Sequence, residues 1–239
     1  MLLAVDIGNT AIKAGVFSGD RLIQRITIDT ADAASLGNGI DLSIDAAIIS
    51  SVVPPLTSVA AAAVAARFGV TVDVLQNDRD LGIKIDYHPL ADAGTDRLVN
   101  SSAAAYLYGV PTIVVSFGTA TTIDIVDRDL ILIGGLIAPG IRMTAKALHE
   151  KTARLPLVEI PKSVEAINLT TETSIQAGVV FSQIGLLETV VPRVTQKIGK
   201  AAVVATGGYA EMISRHTQLI DIVDGDLLLK GLARIARQD

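Results

Sequence analysis

Cysteine and tryptophan are both missing from the chain. Without cysteine there can be no disulfides and no thiolate metal site, and the lack of it fits a reducing compartment. Aromatic residues make up only 3% of the 239 positions, so the core has to be aliphatic and no stacking platforms for bases are available. Positive charge is thin as well. Twenty Lys and Arg stand against 25 Asp and Glu, a net charge of −5, and no basic cluster tracks a phosphate backbone. No nucleic acid is expected as a partner. The three histidines are scattered, with no His/Asp/Glu spacing that suggests zinc, and neither a Gly-x-Ser-x-Gly elbow nor a Walker pattern occurs. The opening apolar run from Met1 stops at Asp6, with no basic region before it, and the run Val59 to Ala66 is too short to cross a bilayer. The expectation is a soluble, cytoplasmic protein with no membrane partner.

What the chain does have is aliphatic bulk. Half of its residues are hydrophobic and 19% are charged, which excludes disorder and implies a well-buried core. That composition suits a sheet covered by helices on both faces, and the length suits two small domains.

A repeat supports the division. Leu2 to Phe17 and Thr112 to Val126 each read as a short apolar strand, a Gly-containing turn followed by Thr, and a second β-branched strand. Each continues through a polar turn, Ser18-Gly19-Asp20 or Asp127-Arg128-Asp129, into a third strand. The same meander recurring about 110 residues further on predicts duplicated domains. We place them at residues 1–110 and 111–239, dividing near Gly109-Val110-Pro111. Further strands are read at Ala46–Val53, Val70–Leu75, Ala201–Ala205 and Leu219–Ile222. Helices are read at Pro55–Phe68, Asp96–Tyr108, Ile141–Lys151, Thr173–Ile198, Tyr209–His216 and Asp226–Arg237, with Pro192 breaking or kinking the longest.

Four segments can carry chemistry. In Asp6-Ile7-Gly8-Asn9-Thr10, Gly8 permits close backbone approach, Asn9 and Thr10 offer donors to a phosphate, and Asp6 can hold Mg²⁺ through water. Lys13 adds positive charge. Asn and Thr are equally usual in a plain hairpin turn. Gly118-Thr119-Ala120-Thr121-Thr122 offers a second phosphate contact, or simply a strand turn rich in β-formers. Thr206-Gly207-Gly208 follows a strand and opens a helix, so its glycines can admit a base or ribose; it also reads as a simple strand–helix loop. In Gly94-Thr95-Asp96-Arg97, Asp96 reads as a helix cap or a general base, and Arg97 as a clamp for a substrate carboxylate, with Tyr87 lining the same pocket. His88 reads as a loop residue.

Taken in order, these motifs, together with Gly134-Gly135, Ala138-Pro139-Gly140, Thr152-Ala153-Arg154-Leu155-Pro156, Thr171 with Gln176-Ala177-Gly178, and Leu229-Lys230-Gly231-Leu232, resemble the type III pantothenate kinases over essentially the whole chain. The resemblance implies an α/β fold of two duplicated actin-like, ribonuclease-H-like domains with a nucleotide cleft between them. It also implies a homodimer that uses ATP and Mg²⁺ to phosphorylate pantothenate to 4'-phosphopantothenate, the first step toward coenzyme A. ATP phosphates would lie on Asp6, Ile7, Gly8, Asn9, Thr10, Ala11, Ile12 and Lys13 and on Gly118 and Thr119, with Gly207 and Gly208 completing the nucleotide site. Pantothenate would lie against Tyr87, Gly94, Thr95, Asp96, Arg97 and Thr171, with Asp96 as base.

One residue departs from the family pattern. Ser116 stands where these enzymes carry an Asp that binds an activating monovalent cation, K⁺ or NH₄⁺. A serine brings an oxygen without the countercharge, so a cation site here should be weak or missing. A non-catalytic nucleotide- or pantothenate-binding accessory protein is the alternative that Ser116 favours; the intact Tyr87, Asp96, Arg97 and Thr171 favour the enzyme. Ser182, where the family tends to have Gly, has no reading.

Overall fold

The computed structural model describes residues 1–238, which form two compact units. Unit 1 comprises Met1–Leu107 and the segment from Asp226, and unit 2 comprises Tyr108–Gly225.

Unit 1 opens with β1 (Leu2–Ile7), β2 (Ala11–Ser18) and β3 (Arg21–Asp29), an antiparallel meander. Next come β4 (Ala46–Ser51), α1 (Pro54–Phe68), β5 (Val72–Val74), the two-residue strand β6 (Lys84–Ile85) and α2 (Thr95–Tyr108). β4 pairs parallel with β1 and β5 parallel with β4, giving the order β3-β2-β1-β4-β5. Side chains alternate across a strand. Leu3, Val5 and Ile7 therefore enter one core with Ile12, Ile49, Ala60 and Val64, which leaves Ala4 and Asp6 on the opposite face. α1 has prolines in its first turn, where a missing N–H costs nothing, and ends at Gly69 in a left-handed conformation.

Unit 2 repeats the plan. β7 (Thr112–Phe117), β8 (Ala120–Val126) and β9 (Ile131–Pro139) form the meander. They are followed by α3 (Ile141–Glu150), α4 (Thr171–Ile198), β10 (Ala202–Thr206), α5 (Ala210–Ser214) and β11 (Ile222–Val223). β10 lies parallel to β7, and β11 parallel to β10. The order β9-β8-β7-β10-β11 is that of unit 1 strand for strand. Ile113, Val115 and Phe117 join Ile184, Leu187 and Val203 in this unit's core, putting Val114 and Ser116 on the other face.

α4 runs unbroken through Pro192, contrary to the expected break. Proline there removes the donor to the carbonyl of Glu188, and both residues are exposed, so water can take the donor's place. By length and composition α4 could cross a membrane, but half of its most apolar stretch is buried and it carries the core of unit 2. The last strand of the unit forms at Ile222–Val223 rather than at Leu219–Ile222, because the Asp221 carboxylate, not a strand carbonyl, accepts the Val203 N–H at 2.8 Å.

From Asp226 the chain returns to unit 1 as α6 (Leu227–Ile235), which packs on β1, β2 and β4. The repeat in the sequence puts residues 111–239 in one domain. The structure instead assigns this segment to unit 1, because Leu227, Leu229, Leu232, Ala233 and Ile235 cover the sheet face that α1 leaves bare. Gly231 makes the fit possible, since a Cβ there would lie 2.8 Å from Val99 Cγ1 and 2.9 Å from Ala103 Cβ of α2.

Candidate active site

Asp6 lies at the end of β1, opposite Lys13 on β2 and Ser50 on β4. Directly paired residues point to one face, so Lys13, Asp6 and Ser50 form a row across three strands. Ser50 is fully buried and donates to Thr95 Oγ1 at 2.9 Å, and Thr95 Oγ1 donates to the Ser51 carbonyl at 3.3 Å. Thr95 is the first residue of α2 and Asp96 follows it. This hydroxyl relay therefore fixes the helix start beside the strand end and brings two carboxylates together.

Their electrostatics reflect it. Burial, then the nearby Asp96, push the Asp6 carboxyl up to about 7, with Lys13 opposing. Burial also raises Asp96; the Arg97 N–H, the Arg97 guanidinium and its own N–H hold it down. Gly94 gives this carboxylate room, since a Cβ there would sit 2.5 Å from Asp96 Oδ1. Asn77 anchors the preceding loop, donating to the carbonyls of Ala93 at 2.7 Å and Leu90 at 3.1 Å.

Arg97 is buried, with its guanidinium carbon 5.2 Å from the Tyr87 ring centroid and Nη1 donating to the Tyr87 hydroxyl at 3.3 Å. Tyr87 and Arg97 thus form one unit of the site. His88 turns to Asp86 at 3.0 Å on an exposed loop.

The first turn is braced from below. Gly8 N–H donates to the Ala11 carbonyl at 3.1 Å; Thr30 donates through Oγ1 to Gly8 at 2.7 Å and through its N–H to Thr10 at 3.3 Å. Asn9 and Thr10 are exposed. The side chains of Ile7 and Ile12 are core residues with no exposed surface, and Ala11 is half-buried. Within residues 6–13, the polar side chains a ligand can meet are those of Asp6, Asn9, Thr10 and Lys13.

In unit 2 the corresponding turn, Gly118-Thr119, closes with Gly118 N–H donating to Ala120 at 3.1 Å. Two glycines press on it. A Cβ on Gly140 would lie 2.3 Å from the Thr119 carbonyl oxygen, and one on Gly207, at φ +93°, would lie 2.5 Å from that of Phe117. Gly207 is therefore fixed by backbone packing, whereas Gly208 is exposed with open space beside it. The helix after it, α5, has five residues, too few to present an anion-binding end. Ser116 pairs with Thr122 on β8 and Thr206 on β10, the positions held in unit 1 by Lys13 and Ser50. Its row consists of three hydroxyls and no charge.

Thr171, exposed at the start of α4, belongs to unit 2 and lines a groove of about 630 Å³ with Leu148, Leu155, Leu169, Gly178 and Ser182. Thr170 caps the helix there by accepting the Thr173 N–H at 3.1 Å. Ser182 returns its hydroxyl to the Val179 carbonyl at 2.7 Å. Sequence reasoning missed Thr30, Ser50 and Asn77. Only Ser50 left a signal, a polar Ser-Ser pair closing an otherwise apolar strand.

The type III pantothenate kinase family model matches residues 2–193. A type III pantothenate kinase from Agathobacter rectalis is 40% identical over 253 residues, covering 100% of this chain and 97% of that protein. One from Thermus thermophilus is 39% identical over 250 residues, covering 98% of each. Among solved structures, the ethanolamine utilization protein EutJ from Carboxydothermus hydrogenoformans superposes with a TM-score of 0.54 at 16% identity, covering 97% of this chain and 88% of that one. Two α/β units of equivalent topology, each with a glycine turn between its first two strands, place the chain in the sugar-kinase/actin-like ATPase fold. Within that class, the chain belongs to the type III pantothenate kinase family.

The raised Asp6 has a consequence for stability. Between its usual value of 3.8 and about 7, the folded protein keeps a proton that the unfolded chain has released, so stability falls as pH rises through that window. Asp6→Asn removes this dependence. In thermal melts without nucleotide or metal, the variant should gain on the parent more at pH 8 than at pH 4.5; an equal difference at both would show that Asp6 titrates normally.

Proposed function

We propose that the protein transfers the γ-phosphoryl group of ATP to the primary hydroxyl of pantothenate, the first step of coenzyme A synthesis, with Asp96 as the base. The observation that carries this reading is the Ser50–Thr95 relay, which sets Asp96 beside Asp6 at the mouth of a glycine turn. In phosphoryl transfer the protein's task is positioning and charge neutralisation. Asp96 accepts the proton of the attacking hydroxyl, and burial raises its basicity toward working pH. Arg97, held over the Tyr87 ring, has a planar fork suited to the substrate carboxylate. Lys13, Asn9 and Thr10 face the phosphates. Thr171, exposed beside a partly apolar groove, is a further pantothenate contact in this reading.

The repulsion between Asp96 and Asp6 fits a divalent cation there, with Asp6 as its ligand through water; bound Mg²⁺ would offset phosphate charge. A monovalent cation fits poorly. The Ser116 row offers hydroxyl dipoles and no carboxylate to offset the lost hydration of K⁺, so no step is assigned to it. The accessory-protein alternative rests on this same residue.

A homodimer fits the surface of unit 2. Ile137, Leu157, Ile167 and Leu169 are 63%, 62%, 86% and 97% exposed, and Met143 and Phe181 are exposed as well. So much exposed apolar area marks a protein contact, and a second copy is the occupant proposed. A cytoplasmic location goes with this metabolic role.

Three outcomes test these statements. In an ADP-release assay the parent should turn over with pantothenate. Asp96→Asn, a near-isosteric change inside the first turn of α2, should lose turnover by about a hundredfold or more while still binding ADP; parent-like turnover would show that Asp96 is not the base. Initial rates at constant ionic strength should be nearly flat in K⁺ for the parent and K⁺-dependent for Ser116→Asp. Strong activation of the parent would mean that neutral oxygens alone build the site. By light scattering the parent should run at twice its 24.9 kDa chain mass, and the Ile167→Glu/Leu169→Glu double variant at the single-chain mass. A monomeric parent would end the dimer reading.

A further inference from the structure

The two turns are equivalent in backbone but not in charge. In unit 1 the residue opposite Asp6 is Lys13, a cation beside the turn. In unit 2 the residue opposite Ser116 is Thr122, which is neutral. A phosphate held at either turn is bound more strongly where a cation can bond it.

Gly140 lies against the carbonyls of Thr119 and Gly118, and Gly207 against that of Phe117. Each glycine is followed, two residues later, by a polar side chain: Arg142 in the first turn of α3, and Tyr209 just before α5. These two meet. Arg142 Nε donates to the Tyr209 hydroxyl at 2.7 Å, and the guanidinium carbon lies 5.9 Å from the ring centroid. Arg142 is exposed, and no carboxylate pairs with it among the described residues. Because Nε is the bonded atom, both Nη groups stay available as a fork. An exposed arginine normally loses side-chain entropy when it takes an anion; one already held by a tyrosine loses less.

We propose that Arg142, positioned by Tyr209, binds the phosphates of the nucleotide at the Gly118–Thr119 turn, supplying the cation that Lys13 supplies at the first turn. This rests on the reading of that turn as a nucleotide contact. The ligand class is a polyphosphate, free or carried on a nucleoside. Tyr209 is a positioning residue.

Calorimetric titration of the intact protein with Mg-ADP, tripolyphosphate, adenosine and pantothenate tests the assignment. Arg142→Gln should weaken ADP and tripolyphosphate by roughly tenfold or more, the worth of a charge-assisted bond, and leave adenosine and pantothenate within about twofold. Arg142→Lys should recover part of the loss, and Tyr209→Phe should cost less than Arg142→Gln while moving the same two ligands. ADP and tripolyphosphate affinities unchanged in Arg142→Gln would overturn the proposal, as would a loss confined to adenosine, which would make the pair a base contact. If Arg142→Gln does not fold, Arg142→Lys and Tyr209→Phe decide between the same outcomes with the same four ligands. The proposed reaction fails separately: a parent that binds ADP through Arg142 but does not phosphorylate pantothenate would end that reading and leave this one standing.

Discussion

The parallel register of β1 against β4 is the constraint on which the site rests. It sets Asp6 opposite Ser50, and a slip of β1 by one residue would turn Asp6 to the α1 core, where Leu3, Val5 and Ile7 now sit. Three apolar side chains on one face therefore hold the polar pair on the other. The buried Ser50 hydroxyl then has to find a partner, and it finds Thr95. Thr95 in turn bonds the Ser51 carbonyl. Helix α2 can begin in only one place under these bonds, and that place puts Asp96 within electrostatic reach of Asp6. The pairing of these two carboxylates is thus a consequence of sheet register, transmitted by two hydroxyls.

Duplication reproduced the register and changed its contents. The rows Lys13–Asp6–Ser50 and Thr122–Ser116–Thr206 occupy the same positions in sheets of the same strand order. One row carries two opposite charges and the other carries none. Their turns are also stiffened differently. Thr30, just past the end of β3, bonds the first, whereas Gly140 and Gly207 press backbone against the second. Backbone contact leaves no side chain between the turn and its supports.

The repeat was legible because it lies in local order: strand, glycine turn, strand, polar turn, strand, twice. The turns and the Gly94–Arg97 segment were legible for the same reason, since each is contiguous. What stayed hidden depends on long-range packing. Nothing near Asn77 says that its amide will hold the carbonyls of Leu90 and Ala93. α6 has the pattern of any amphipathic helix, and only the bare face over Ala4 explains why it returns to unit 1. Pro192 shows the opposite case, where of the break or kink expected no break occurs, since the carbonyl the proline orphans faces water.

The site also stores unfavourable energy. Asp6 and Asp96 are both shifted toward protonation, chiefly by burial, and they repel one another when ionised. A fold selected for stability alone would place apolar residues at these positions, as it does one residue away at Ile7 and two away at Leu98. The strain is tolerable because the surroundings are tightly determined: Ile7, Val99 and Ile49 are fully buried, and α6 closes on α2 through Gly231. It is useful because a ligand that brings positive charge to these carboxylates relieves repulsion that the empty protein carries. Such a ligand binds the folded state and stabilises it by mass action. The fully buried aliphatic side chains around the pair hold the two carboxylates in place.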